Sequence, residues 1–142
     1  MSPGRSPVRA DISRLDTLLW VLSAFSAGLT LVFSFGLVPP GVDGFPLADK
    51  VWHGLAYFTT SLLFLLAAVW RPGSGAGLFP HAGIVFALLG SAAGGLVEIA
   101  QGFTATRDPE LLDWIVEVVG ISAALGVVLM LRARTDGHSD SA

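Results

Sequence analysis

Apolar positions along this chain gather into four long runs, separated by short segments rich in proline and glycine. Residues 17–38 (TLLWVLSAFSAGLTLVFSFGLV) contain no charge, and residues 51–70 are interrupted only by His53. The third run, about 80–101, carries Glu98 near its end, and the fourth, 111–131, carries Asp113 and Glu117 in its first two turns. A bilayer core about 30 Å thick needs roughly 20 apolar residues in a helix. Each run therefore predicts one membrane-spanning helix. The segments PPGVDGFPLADK, RPGSGAGLF and GFTATRDPE stop helices and turn the chain. They leave no room for a soluble domain, so neighbouring helices are expected to pack antiparallel in one all-α four-helix bundle spanning residues 1–142. The polar ends, 1–16 and 132–142, are expected to be mobile tails. The first run is longer than the apolar stretch of a secretory signal, and no clear small-x-small cleavage site precedes the Pro39-Pro40 turn. It reads as a retained anchor.

Composition narrows the class. The chain is 53% hydrophobic and 13% charged, with a mean hydropathy of +0.71, whereas soluble domains carry about 25% charged residues. A domain of 142 residues has too much surface to hide that deficit. The absence of cysteine excludes disulfides, thiolate catalysis and cysteine metal sites. A net charge of -3 gives no reason to expect a nucleic-acid partner. Arg5, Arg9, Arg14, Arg71, Arg132 and Arg134 fall on one side of the four spans, with only Lys50 and Arg107 on the other. The positive-inside rule then predicts both termini in the cytoplasm and the first and third loops outside.

With that topology the polar residues collect at one depth. Asp49, Lys50 and His53 begin the second span; Glu98 and Gln101 end the third; Asp113 and Glu117 begin the fourth. Asp49, His53 and Tyr57 recur every four residues and are expected to share a helical face. A charged group at mid-bilayer costs about 2.5–3.5 kcal/mol on insertion scales. These stripes are therefore expected to turn inward and form a water-accessible polar pocket at the outer leaflet.

The same residues carry a family resemblance. DKVWHGLAY resembles the Asp-Lys-x-x-His-x-x-x-Tyr signature of VanZ-like membrane proteins, at Asp49, Lys50, His53 and Tyr57. EIAQGFTATRDPELLDWIVEVVG resembles their Glu-x-x-Gln, Arg, Asp-x-x-x-Asn-x-x-Gly run, at Glu98, Gln101, Arg107, Asp113 and Gly120. The resemblance covers residues 17–131, with one departure: Glu117 stands where the family commonly has asparagine. An ionised carboxylate only accepts hydrogen bonds and adds charge, so an amide-dependent role is lost and a cation is favoured. The family takes its name from an accessory glycopeptide (teicoplanin) resistance protein of bacteria. The resemblance implies a multi-pass protein of the bacterial cytoplasmic (inner) membrane, handling lipid head groups or lipid-linked envelope precursors.

Two functional classes lead, and a third, a transporter, has little room in four spans unless the chain dimerises. In the enzymatic one, phosphoester hydrolysis or transfer, His53, Asp49, Glu98 and Asp113 are the candidate catalytic residues. His53 would be nucleophile or general acid/base oriented by Asp49, and Glu98 would position water or a hydroxyl. Lys50, Tyr57, Gln101, Arg107 and Glu117 are the candidate substrate contacts, with Arg107 best suited to phosphate. In the other class the same cleft binds a lipid-linked or antibiotic-like ligand, or docks a membrane partner, without turnover. Each residue also has a structural reading. His53 can be a helix-interface hydrogen bonder, Asp113 a cap on the helix dipole, and Lys50 a snorkelling anchor. Trp52, Trp114 and Tyr57 suit an aromatic belt as well as a substrate wall. Asp108 and Glu110 read as solvated loop charges, and Pro109 as a helix-start residue. The small residues of LLGSAAGGLVE and VGISAALG permit close helix contact, and with it a homodimer. A divalent ion on Asp49, Glu98, Asp113 and Glu117 is chemically allowed, but the spacing is nonspecific. No metal ligand or cofactor is assigned.

Overall fold

A computed structural model describes residues 7–35, 47–69, 79–104 and 110–139. It contains four α-helices, α1 (Pro7–Ser34), α2 (Ala48–Val69), α3 (Phe79–Gln101) and α4 (Leu111–Ser139), each long and apolar enough to cross a bilayer. The expected all-α bundle is present. Within the described residues the polar ends are helical: α1 begins ten residues before residue 17, and α4 runs eight residues past Leu131. Once a helix is nucleated, each further residue adds one hydrogen bond at little cost. Apolarity marks the part of a helix that suits hydrocarbon; the ladder itself continues until a breaker. Pro7 opens α1, where a missing N–H costs nothing.

Contact register gives the topology. Going up α2, Tyr57, Thr60 and Phe64 meet Ser34, Thr30 and Trp20 going down α1, so these two run antiparallel. Lys50 and His53 meet Asp113 and Glu117, so α2 and α4 run parallel. Glu98, near the end of α3, meets the N–H of Glu110 just before α4. The chain therefore passes up and down alternately, with α2 and α4 as the most extensively packed pair. Leu65, Ala124 and Val128 form the apolar centre between them, flanked by Phe58, Leu62 and Phe86. Phe64 links three helices, edge-on to Trp20 at 5.1 Å and stacked on Phe86 at 5.0 Å. Between α1 and α2 the hydroxyls of Ser26 and Thr30 meet that of Thr60 at 2.7 and 2.9 Å. Interhelical bonds of this kind contribute about 0.6–2 kcal/mol in membranes.

Much of the outer surface is apolar: Phe25, Leu88, Leu89 and Leu96 are exposed, while Ser23, Thr30, Lys50, Glu98, Asp113 and Glu117 are buried. That inversion suits hydrocarbon as the surrounding medium. Two glycines set the spacing of the central pair. A Cβ on Gly120 would lie 2.5 Å from the Gly54 carbonyl oxygen and 3.0 Å from the Phe58 nitrogen. Only glycine lets the two backbones approach this closely, one turn from the polar residues. At the start of α2, Leu47 (φ 71°) occupies the left-handed region, which costs a non-glycine residue about 1–2 kcal/mol. Its carbonyl accepts from the Val51 N–H at 3.1 Å and closes the first turn.

Candidate functional site

The first two turns of α2 and α4 and the last turn of α3 bring their polar groups to the same end of the bundle. Two connected clusters result. In the first, Lys50 Nζ lies 2.6 Å from Glu110 Oε2, 2.7 Å from Asp113 Oδ1 and 2.9 Å from Asp49 Oδ2. Asp113 is 1% exposed, far more buried than a residue that only caps a helix dipole requires. Its charge is matched by Lys50, which is itself buried rather than snorkelling to water.

In the second cluster His53 Nε2 lies 2.7 Å from Glu117 Oε1 and 3.9 Å from Glu98 Oε1. One ligand-capable atom from each of these three residues falls within 4.8 Å of the others. Glu117 is fully buried and Glu98 is 6% exposed. Gly94 on α3 makes room for the Glu117 carboxylate, because a Cβ there would overlap Oε2. The Tyr57 hydroxyl neighbours the same carboxylate and the Ser34 side chain, and its ring sits 5.2 Å from the His53 imidazole. The Glu110 N–H donates to Glu98 Oε2 at 3.1 Å, joining the two clusters.

The expected Asp49–His53–Tyr57 face is corrected by one residue. Lys50, His53 and Tyr57 turn inward, while the Asp49 side chain is 51% exposed and pairs with Lys50. Glu117, not Asp49, takes the hydrogen-bonding position on His53 Nε2. Spacings of three and four residues both return to one side of a helix, so packing alone decides between positions 49 and 50. Glu110 is likewise more than a solvated charge, since it engages both Lys50 and Glu98. The signal for it was its place three residues before Asp113. Gln101 is fully buried and donates from Nε2 to the Ser34 carbonyl, tying the end of α3 to the end of α1. Arg107, Asp108 and Pro109 lie outside the described residues.

A cleft of about 450 Å³ opens between α3 and α4. Its lining is mostly apolar, including Ile99, Phe103, Leu111 and Trp114, with Glu98 and Glu110 as its ionisable residues. Trp114 is held in the wall by donating from Nε1 to the Ser91 carbonyl at 2.9 Å; both it and Trp52 are exposed. Glu98 belongs to both the cleft and the buried cluster; His53 and Glu117 stand behind it. The site thus combines an apolar wall, a carboxylate at its edge, and an imidazole–carboxylate pair sheltered from solvent. Neither a protein-family model nor a curated protein nor a solved structure matches this chain.

Proposed function

We propose that this multi-pass membrane protein acts on the polar head group of a phospholipid or lipid-linked precursor, by phosphoester hydrolysis or transfer. The observation that carries the reading is Glu98, which connects an apolar, laterally open cleft to a buried His53–Glu117 pair. An acyl or polyprenyl chain suits the apolar walls, and its head group would then meet the Glu98 carboxylate. Glu98 accepts a proton from the attacking water or hydroxyl as the new phosphorus–oxygen bond forms. His53, held by Glu117, supplies the proton that the departing oxygen takes up. Positioned acid–base groups of this kind contribute about 10²–10⁴-fold. The resemblance to VanZ-like proteins of the bacterial cell envelope supports the same substrate class, with the site at the outer leaflet of the inner membrane.

A second reading rests on Lys50. Its ammonium is engaged by three carboxylates, so a phosphate would compete with them for it. A cleft edged by carboxylates can instead hold hydroxyl- or ammonium-bearing head groups without turnover. Full-length protein in nanodiscs, given phospholipids and polyprenyl phosphates, separates the two by mass spectrometry of released head groups. Turnover that falls at least a hundredfold in both His53→Ala and Glu98→Gln supports the enzymatic reading. Saturable lipid binding without any product supports the second. Turnover unchanged in both variants removes these residues from the chemistry.

A further inference from the structure

His53, Glu98 and Glu117 come from α2, α3 and α4 and meet where almost no solvent reaches. Glu98 Oε2 accepts the Glu110 N–H, but Oε1 is buried without a hydrogen-bond partner and faces the imidazole. A buried carboxylate oxygen in that state needs a cation or a proton beside it. Charge balance allows two occupants, a divalent cation or a pair of protons, and the donor set and the titration below distinguish them. Among the described residues Lys50 serves Asp49, Glu110 and Asp113, leaving two carboxylates and one imidazole to balance each other. With neutral His53 the trio carries two negative charges, and with protonated His53 it carries one. A doubly charged cation with a neutral imidazole brings it to zero.

Distances fit the same occupant. Nitrogen and oxygen donors bind zinc at about 2.0–2.2 Å, which places tetrahedral ligand atoms about 3.4 Å apart. The two distances from His53 Nε2, 2.7 Å to Glu117 and 3.9 Å to Glu98, straddle that value. All three donor atoms lie within 4.8 Å of one another, so they would have to draw together around an ion. The surroundings supply the outer contacts that metal ligands usually have. The Glu110 N–H holds the second Glu98 oxygen. Tyr57 and the Gly94 backbone confine Glu117.

We infer that His53, Glu98 and Glu117 form a binding site for one divalent transition-metal ion, of the zinc or manganese type. Calcium seeks six to eight oxygens and magnesium keeps several waters, and neither favours a buried trio that includes imidazole. Imidazole with carboxylate suits zinc, while the oxygen-rich share suits manganese. Because Glu98 also borders the α3–α4 cleft, the ion would lie within reach of a ligand held there.

The test uses full-length protein without a polyhistidine tag, stripped with chelator in nanodiscs and titrated calorimetrically with Zn²⁺ or Mn²⁺. Circular dichroism checks that each variant keeps its helices. The expected result is one equivalent of ion per chain, with Kd weakened at least tenfold in Glu98→Gln and in Glu117→Gln. In the Mn²⁺ form, pulsed electron paramagnetic resonance should show a ¹⁴N coupling that His81→Gln retains and His53→Gln abolishes. No saturable uptake by the folded wild-type chain overturns the inference. So does uptake that both folded glutamine variants leave within twofold, or a nitrogen coupling that survives in His53→Gln. If the glutamine variants lose their helices, the wild-type titration and the coupling decide. Ion uptake is read with no lipid substrate, so its failure is distinguishable from failure of the head-group reading; an ion held on His53 and Glu98 would replace the proton-transfer roles given to them there.

Discussion

Replacing Lys50 with methionine is expected to destabilise the bundle by about 3–5 kcal/mol, the usual cost of removing one partner from a buried ion pair. Methionine keeps most of the aliphatic stem, so packing changes little while the charge disappears. What is lost is the cation that Asp113, Glu110 and Asp49 share at 2.6–2.9 Å. Asp113 decides the magnitude, because at 1% exposure it cannot turn to water for compensation. Asp49→Asn serves as the contrast. That pair is half exposed and screened, and exposed pairs contribute about 0–1 kcal/mol. Reversible unfolding in mixed micelles, or steric trapping in bicelles, measures both. A Lys50→Met variant within about 1 kcal/mol of wild type would mean that water hydrates these carboxylates.

Gly120→Ala is expected to cost about 1–3 kcal/mol, toward the upper end of the range for overpacked cores. The new methyl would meet the Gly54 carbonyl oxygen and the Phe58 nitrogen, and helix backbone cannot rotate aside as a side chain can. α2 and α4 would have to move apart. His53 immediately precedes Gly54, and Glu117 lies three residues before Gly120, so the 2.7 Å bond between them should lengthen as well. The reciprocal change discriminates this contact from a general intolerance of alanine. A Cβ on Gly54 would meet Val116 atoms at 3.5 and 3.7 Å, ordinary contact distances, so Gly54→Ala should be tolerated. Gly126 has nothing within 4 Å, and Gly126→Ala should be neutral or stabilise by up to about 1 kcal/mol. Unfolding measurements on the three variants, with spin-label distances between α2 and α4, give the order. Equal effects at positions 54 and 120 would contradict the packing described.

Legibility in the sequence differed by feature. Helix count and approximate spans were readable because hydrocarbon demands an unbroken apolar run, and three proline-glycine segments divide the chain into four such runs. Helix ends were not, since Pro7–Asp16 and Arg132–Ser139 continue the ladder with polar residues. Convergence of the ionisable groups was readable from topology alone. Their pairing was not: Asp49 and Lys50 stand four and three residues before His53, and helical spacing accepts either. Glu110 passed for a loop charge because its neighbours are polar, although it serves both clusters. Gly94 belongs to a run of small residues, and nothing local shows that its missing side chain accommodates Glu117.

The amino-acid sequence by itself determined that this chain forms four membrane-length helices with acids and an imidazole at one end, because segment length and apolarity are local properties. Only the tertiary structure decided that Lys50 serves Asp113, that His53 bonds Glu117, and that Glu98 joins that pair to a cleft. Those choices depend on helix rotation and on the close backbone approach at Gly54 and Gly120. Both arise when the helices pack together, and neither is encoded in any one segment.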